Sequence, residues 1–329
     1  MAGLRAPIPS LFESGSLNLS EAPMIDRAPA TEPFASIYPF ERRYFDVGGA
    51  RMHYLDEGSG PPLLMVHGNP TWSFYYRNLV LALRDRYRVI VPDHVGCGLS
   101  DKPSDAEYDY TLERRVADLS ALVDHLDLGE SISLIVHDWG GMIGMGWAIE
   151  RPERIARLVA MNTAAFHLPA GLSLPWSLRL CRSPLGSFLV RGLNLFSRGA
   201  QKSCVRQHTF NDAERSGYLD VYDNWANRIA VHRFVQDIPL VEGDRAFALV
   251  SRVEERLPEF ASTPALIFWG AHDFVFNDDF LAEWRKRLPH AEVVRFADAG
   301  HYVLEDAFDE ILPRVTDFLA GPARPTAAR

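Results

Sequence analysis

Ile132-Ser-Leu-Ile-Val-His-Asp-Trp-Gly-Gly-Met-Ile-Gly-Met-Gly-Trp147 sets the architecture of this chain. It opens as a short apolar run, the pattern of a buried strand. It closes as a Gly-rich helical stretch that Arg151-Pro152 stops. A strand turning sharply into a helix thrusts its turn residue outward in strained exposure, beside the free amides of the helix N-terminus. Small residues at Gly140, Gly141 and Gly144 let such a helix lie close to a sheet. The pattern is that of a G-x-S-x-G elbow with Asp138 in the serine's place. A carboxylate there can attack a saturated carbon and form an ester with the enzyme, which water can later hydrolyse. Taken alone, Asp138 would serve equally well as a helix N-cap.

Upstream of the elbow, the order of elements is readable. Arg42–Val47 and Arg51–Glu57 flank Gly48-Gly49 and read as a β-hairpin. Pro62–Val66 is an apolar strand that runs into His67-Gly-Asn-Pro70. Ser73 to Leu83 reads as a helix. Tyr87–Val91 reads as a strand, followed by the loop Pro92-Asp-His-Val-Gly-Cys-Gly-Leu-Ser-Asp-Lys-Pro103. Thr111 to Leu126 carries apolar residues at helical spacing, and Arg154–Met161 is a sixth strand. Strands alternating with helices predict a mostly parallel sheet with helices on both faces.

The alternation stops after the sixth strand. From about Asn162 to Glu259 the chain reads as short helices broken by Pro169, Pro175, Pro184, Gly192 and Gly199. From Arg154 to Asn211 there is no acidic residue and there are eight Arg or Lys. An apolar, basic insertion suits a helical cap over the C-terminal edge of the sheet, where open α/β folds hold their sites. Contact with a membrane surface or a partner is the competing use. The core pattern then resumes: Ala265–Trp269 and Ala291–Phe296 are a seventh and an eighth strand, and a last helix runs from about Asp306 to Leu319. The expected division is a disordered extension over 1–36, a main domain over 37–162 and 260–320, and a helical cap over 163–259. Within the extension, Ile8, Leu11 and Phe12 are the residues able to dock.

Composition narrows the function classes. A chain of 329 residues buries a large core, and 47% apolar with 23% charged residues is a globular composition. A net charge of −9 argues against a nucleic-acid partner. Cys97, Cys181 and Cys204 are odd in number and widely spaced, which predicts neither disulfides nor a zinc site and points to a reducing compartment, the cytoplasm. No apolar run approaches a transmembrane span, and nothing resembles a signal peptide. Composition leaves homo-oligomerisation open.

Two more loops complete a constellation. Gly270-Ala-His-Asp273 follows the seventh strand, and Asp298-Ala-Gly-His301 follows the eighth. Asp138, Asp273 and His301 therefore stand in the chain order nucleophile, acid, base. His301 would activate water, and Asp273 would hold its imidazole. His272 is a competing histidine without the Gly-His setting. Asn69 and Trp139 supply backbone amides for an oxyanion hole, and their side chains add a carboxamide and an indole N–H able to hold a leaving anion. No metal or cofactor is called for by this set.

With HGNP, DHVGCGLSDKP, HDWGG, the Asp after strand seven and the late Gly-His in place, the chain from about Pro39 to Leu319 resembles α/β-hydrolases of the haloalkane dehalogenase family. The pentad this implies is Asp138, His301, Asp273, Asn69 and Trp139, the pattern of the third dehalogenase subfamily. Val136 stands where the general elbow has Gly. A closer resemblance, to the β-lactone decarboxylases of bacterial long-chain olefin biosynthesis, rests on Tyr38-Pro-Phe40, Asn69–Tyr76, Asn162-Thr-Ala-Ala-Phe166, Asn224–Ile229, Gln236–Leu240 and Gly300–Asp306. It implies conversion of a cis-3,4-dialkyl β-lactone to a cis-alkene and CO₂, and assembly with the thiolase and β-lactone synthetase of that route.

Three readings compete with it. Hydrolytic dehalogenation shares the nucleophile. Epoxide hydrolysis needs two cap tyrosines, for which Tyr218 and Tyr222 stand at i,i+4 spacing, although Asn69 speaks against it. A ligand receptor on the same scaffold need not keep all three catalytic groups, and this chain keeps them. Leu172, Leu174, Trp176, Leu178, Leu185, Phe188, Leu189, Leu193, Leu195 and Phe196 of the cap are expected to line a channel for two long chains.

Overall fold

The computed structural model describes residues 24–26 and 32–324. Nine strands form one sheet: β1 (Met24–Asp26), β2 (Arg42–Asp46), β3 (Arg51–Glu57), β4 (Pro62–Val66), β5 (Arg88–Pro92), β6 (Ile132–Asp138), β7 (Ile155–Thr163), β8 (Ala265–Gly270) and β9 (Glu292–Phe296). Their order is β1-β2-β3-β5-β4-β6-β7-β8-β9. The β1-β2-β3-β5 pairings are antiparallel, and every pairing from β5 to β9 is parallel. The eight strands anticipated from sequence are all present. All seven residues of β6 are buried, as befits a central parallel strand covered on both faces.

The ninth strand revises the expected extension. Met24–Asp26 pairs with Arg42–Tyr44, and Phe34 is buried against Trp72, Phe74 and Tyr38 at ring distances of 5.6, 5.8 and 6.2 Å. A three-residue edge strand is held by backbone hydrogen bonds and is too short to show an alternating pattern. Phe34 stands alone among polar and small residues, so no period announces it. Ile8, Leu11 and Phe12 lie outside the described residues.

Helices cover both faces. Before the elbow come α1 (Arg77–Leu83), entered through a 3-10 turn at Ser73–Tyr76, and α2 (Leu112–His125). Thr111 caps α2 by accepting from Arg114 N at 3.3 Å. The elbow helix α3 (Trp139–Ala148) buries all but Met142, so it lies inside the fold and not on it.

Between β7 and β8 the described residues contain helices and no strand: α4 (Trp176–Arg182), a π-helical turn at Phe188–Gly192, α5 (Leu195–Ser203), α6 (Asp212–Leu219), α7 (Ile229–Gln236) and α8 (Phe247–Arg256). After β8, the described residues add α9 (Asp278–Arg287), α10 (Val303–Asp306) and α11 (Phe308–Ala320). The insertion is tied down by polar clamps. Buried Arg77 of α1 bonds Glu305 of α10 at 2.6 and 3.1 Å and Glu214 of α6 at 3.2 Å. The Asp306 carboxylate accepts from the amides of Arg206, Gln207, His208 and Gly300. No helix of the described residues is long and apolar enough to cross a membrane.

Candidate active site

Asp138 ends β6 and begins α3, and its backbone is strained, with φ +52° and ψ −127°. That conformation is uncommon outside glycine, and it turns the carboxylate away from the sheet. Gly68 makes room for it: a Cβ there would fall 2.2 Å from Asp138 Oδ1. The amides of Asn69, at 3.0 Å, and of Trp139 both donate to Oδ1. The other oxygen, Oδ2, lies 3.2 Å from His301 Nε2. The two amides expected to form an oxyanion hole therefore cup one oxygen of Asp138 itself. In an ester of Asp138, Oδ1 is the carbonyl oxygen, so the same pair would polarise it.

His301 Nδ1–H donates to Asp273 Oδ2 at 2.6 Å. Asp273 is fully engaged: Oδ1 accepts from Val275 N at 2.7 Å and Phe276 N at 3.0 Å, and Oδ2 also accepts from Asn162 Nδ2 at 3.0 Å. The His301 loop is held from behind as well. Tyr302 N donates to Cys204 O at 2.7 Å, and a Cβ on Gly300 would meet that carbonyl at 2.5 Å, which explains the Gly before this histidine. His272 is exposed and stands outside the constellation.

Charge follows from these contacts. Burial pushes the His301 pKa down, but the Asp273 charge and the contact with Asp138 outweigh it and lift it to about 10. Burial pushes the Asp138 carboxyl up, and the His301 imidazolium and the Asn69 amide more than offset this, holding it below its usual value. The resting site is thus an imidazolium between two carboxylates.

The surrounding histidines are neutral. Burial, aided by the His301 charge, takes His137 down to about 3; its Nε2 donates to His301 O at 2.9 Å, and its ring stacks on Tyr75. His67 accepts from His94 N at 3.1 Å, so its proton is on Nδ1, bonded to Gly68 O at 2.7 Å.

The side chains of Asn69 and Trp139 line the same cavity as Asp138 and His301. One carboxamide N–H of Asn69 donates to Val231 O on α7 at 3.1 Å. The amide has a second N–H to offer. Trp139 packs on Phe234 of α7, and its indole N–H has no acceptor among the described residues. The insertion therefore orients both donors.

Above them lies a cavity of about 530 Å³ with a wall that is almost entirely apolar. Of the cap residues expected to line a channel, Leu174, Trp176, Leu178, Leu189, Leu195 and Phe196 do so. Leu172, Leu185, Phe188 and Leu193 do not. Tyr218 and Tyr222 are buried away from the cavity, Tyr218 against Glu305, so neither reaches Asp138 to protonate an epoxide.

Asn162 was not singled out as a site residue in the sequence. It sits at the end of β7 with φ +34°, holds Asp273, and exchanges hydrogen bonds with Gly270 O and N at 3.1 and 2.7 Å. Its position at a sixth-strand end was the available signal.

Comparison with known proteins fits this geometry. Residues 61–308 match the alpha/beta hydrolase fold family. The chain is 54% identical over 285 residues to a cis-3-alkyl-4-alkyloxetan-2-one decarboxylase of Shewanella oneidensis, covering 86% of this chain and 90% of that one. A protein of the same description from Xanthomonas campestris pv. campestris is 48% identical over 291 residues, covering 86% and 97%. Among solved structures, the haloalkane dehalogenase DbeA of Bradyrhizobium elkani superposes with a TM-score of 0.75 at 27% identity, covering 85% of this chain and 97% of that one. The chain belongs to the α/β-hydrolase family, in the haloalkane dehalogenase group that the oxetan-2-one decarboxylases share.

Proposed function

We propose that this chain decarboxylates cis-3-alkyl-4-alkyloxetan-2-ones to cis-alkenes and CO₂, with Asp138 as nucleophile. The observation that carries the reading is the kinship with two decarboxylases over a span that includes the whole insertion, the part that shapes the cavity. The helices between β7 and β8 act as the substrate-reading cap, and the strands with their covering helices act as the main domain.

Asp138 Oδ2 attacks C4 of the ring from the side opposite the C4–O bond. That bond breaks, and its electron pair leaves on the ring oxygen as a carboxylate borne by C3. The four-membered ring holds the C3–carbonyl bond eclipsed with C4–O, so the new C4–Oδ2 bond lies antiperiplanar to the C3–carboxylate bond. The C3–carboxylate bond then breaks, its pair forms the double bond, and Asp138 departs as a carboxylate. One lactone gives one alkene and one CO₂, and water is not consumed. The two alkyl groups stay on one side throughout, so a cis lactone gives a cis alkene.

The departing carboxylate falls beside the indole N–H of Trp139 and the second N–H of Asn69, in an apolar cavity where such donors are worth more than in water. His301 remains an imidazolium and stabilises both the leaving carboxylate and the returning Asp138, which suits its raised pKa. Asp273, held by Asn162, keeps that charge in place.

Dehalogenation keeps one observation in its favour: His301 Nε2 is close enough to Asp138 to direct water at an ester. Esterification cancels one of the two charges that hold the imidazolium proton, which would free His301 to act as base. Three free cysteines suit a reducing cytoplasm, and the reading includes assembly with the thiolase and β-lactone synthetase that make the lactone.

The test gives purified enzyme a cis-3,4-dialkyloxetan-2-one and, separately, 1-bromoalkanes in ¹⁸O-water. Alkene measured by gas chromatography, with no label in Asp138, is the expected result. Rapid bromide release with label in Asp138 and no alkene overturns the reading in favour of the dehalogenase.

A further inference from the structure

The apolar cavity opens onto a surface of the same character. Trp176, Leu180, Leu195, Leu240 and Phe274 line the cavity, yet they are 71, 39, 49, 38 and 41% exposed. They form its rim. Leu185, Phe188 and Leu193 lie outside the cavity and are 62, 56 and 44% exposed on the stretch joining α4 to α5. Every large apolar side chain recorded as exposed among the described residues belongs to the insertion or to this rim. Among the residues whose exposure is described, strands β2 to β9 and the covering helices expose none of that kind, and so concentrated a patch marks an interaction surface.

Charge runs against the rest of the molecule here. The chain carries −9 overall, while 163–211 of the insertion has six basic residues and no acid; Arg154 and Arg157 stand at the start of β7, at the far end of the sheet. Arg179, Arg198 and Lys202 are exposed, and no carboxylate among the described residues pairs with them. Helical spacing places them with the rim. Arg179 follows Trp176 by three residues on α4, and Arg198 and Lys202 follow Leu195 by three and seven on α5. Arg191 lies over the ring of exposed Trp225, 4.7 Å from its centroid. Exposed acids also stand near these apolar residues in the chain: Asp223 before Trp225, Glu242 after Val241, and Asp278 and Asp279 after Phe274.

We propose that this face docks on an anionic lipid bilayer, with the apolar rim in the interface and the basic side chains on the headgroups. Short helices with aromatic and aliphatic residues beside Lys and Arg are the pattern of interfacial binding. A mouth opened toward lipid admits an alkyl chain without passing it through water. That benefit to the substrate rests on the decarboxylase reading; the docking itself rests on the exposed residues alone.

The test is flotation of the full-length chain with vesicles of phosphatidylglycerol and phosphatidylethanolamine, against vesicles of phosphatidylcholine. The chain is expected to float with the anionic vesicles and to be released by salt. Each Lys or Arg at an anionic surface contributes a factor of about five, so Arg179→Glu, Arg198→Glu and Lys202→Glu together should weaken partition on the order of a hundredfold or more. Leu185→Ser with Phe188→Ser should weaken it as well. These five positions lie outside the cavity, so turnover of a short-chain, water-dispersed lactone should stay at the wild-type level and report an intact fold. Binding is read without turnover, so its outcome is separate from that of the decarboxylase reading. Failure of the wild-type chain to float with anionic vesicles overturns the proposal, as does salt-independent binding that the triple charge reversal leaves unchanged. Concentration-dependent self-association that the same substitutions abolish, without vesicle binding, assigns the face to a second copy instead.

Discussion

At the elbow, Asp138, His301 and Asp273 are 8, 3 and 4% exposed and are joined by contacts of 3.2 and 2.6 Å. Across the cavity, α4 and α5 meet the same space with Trp176, Leu178, Leu195 and Phe196, two of them about half exposed or more. One wall is polar, charged and held by hydrogen bonds from five strand ends. The other is apolar and held by packing. Polar geometry has few solutions, since each donor must find its acceptor within a few tenths of an ångström. Apolar packing accepts many sequences of the right volume. The elbow is therefore suited to the bond chemistry, and the insertion to choosing what is brought to it.

If that division is right, the largest effects belong to the elbow. Asp138→Ala should lower turnover on the order of a million-fold, as loss of a covalent nucleophile does elsewhere. Asp138→Gly should do the same while fitting the positive φ, so thermal melting will show that the fold survives. Near-normal turnover by either variant would remove Asp138 from the chemistry and end the comparison.

Asp273→Asn comes next, at about ten-thousandfold, the scale for losing the orienting acid of a triad. It also tests the charge on His301. With a folded pKa of about 10, well above the ordinary histidine value, His301 adds stability that is complete below about pH 6.5 and is lost as pH rises through 10. Removing the Asp273 charge lowers the folded pKa, so the alkaline fall in both melting temperature and decarboxylation should move to lower pH. Activity that rises with pH over the same window would mean that neutral His301 is needed, as in a hydrolytic cycle.

Trp139→Phe keeps the ring against Phe234 and removes the indole N–H. A lost oxyanion-type donor costs about 3 kcal/mol, on the order of a hundredfold or more in turnover. An unchanged rate would make Trp139 a packing residue on α7's side of the comparison.

Much of the elbow was legible because its chemistry needs fixed residue types at strand ends. Asp138, Asp273, His301, Asn69 and Trp139 each stand beside a turn that the sequence marks with Gly or Pro, and the structure brings four of them to one cavity, with Asp273 behind His301. Asn162 escaped notice because its role is a tertiary one: it bridges β7 to the loop after β8, and no local pattern encodes that. The insertion was legible as apolar and helical, but helix period does not say which apolar residue faces a cavity. Leu189 lines it and Leu193, four residues on, is exposed, because the π-helical turn at Phe188–Gly192 breaks the period between them. Met24–Asp26 and Phe34 were missed for want of any repeat.

Asn162→Ala sharpens the elbow's limits. It leaves Asp273 Oδ2 with His301 alone and frees Gly270 N. A hydrogen bond to a charged group is worth about 1.5 kcal/mol or more, so turnover should fall roughly tenfold. A looser Asp273 also holds the imidazolium proton less well, so the alkaline limb should shift down, a change that general destabilisation would not produce.

The smallest effect per step belongs to the insertion, and it tests the division most directly. Each methylene moved from water to an apolar wall gains about 0.8 kcal/mol, close to a fourfold rise in kcat/KM per CH₂. Across a series of lactones with lengthening alkyl chains, the logarithm of kcat/KM should climb with that slope and level off once the cavity of about 530 Å³ is filled. The same series run on Trp139→Phe should give a parallel line displaced downward by the same factor at every length. Parallel lines mean that the donor acts on the leaving carboxylate and the insertion acts on the chains, with independent free energies. Trp139 does touch Phe234 of α7, so coupling has a physical route. A slope that flattens in Trp139→Phe would show that the indole also shapes the chain-binding wall, and the two halves of the cavity would have to be treated as one.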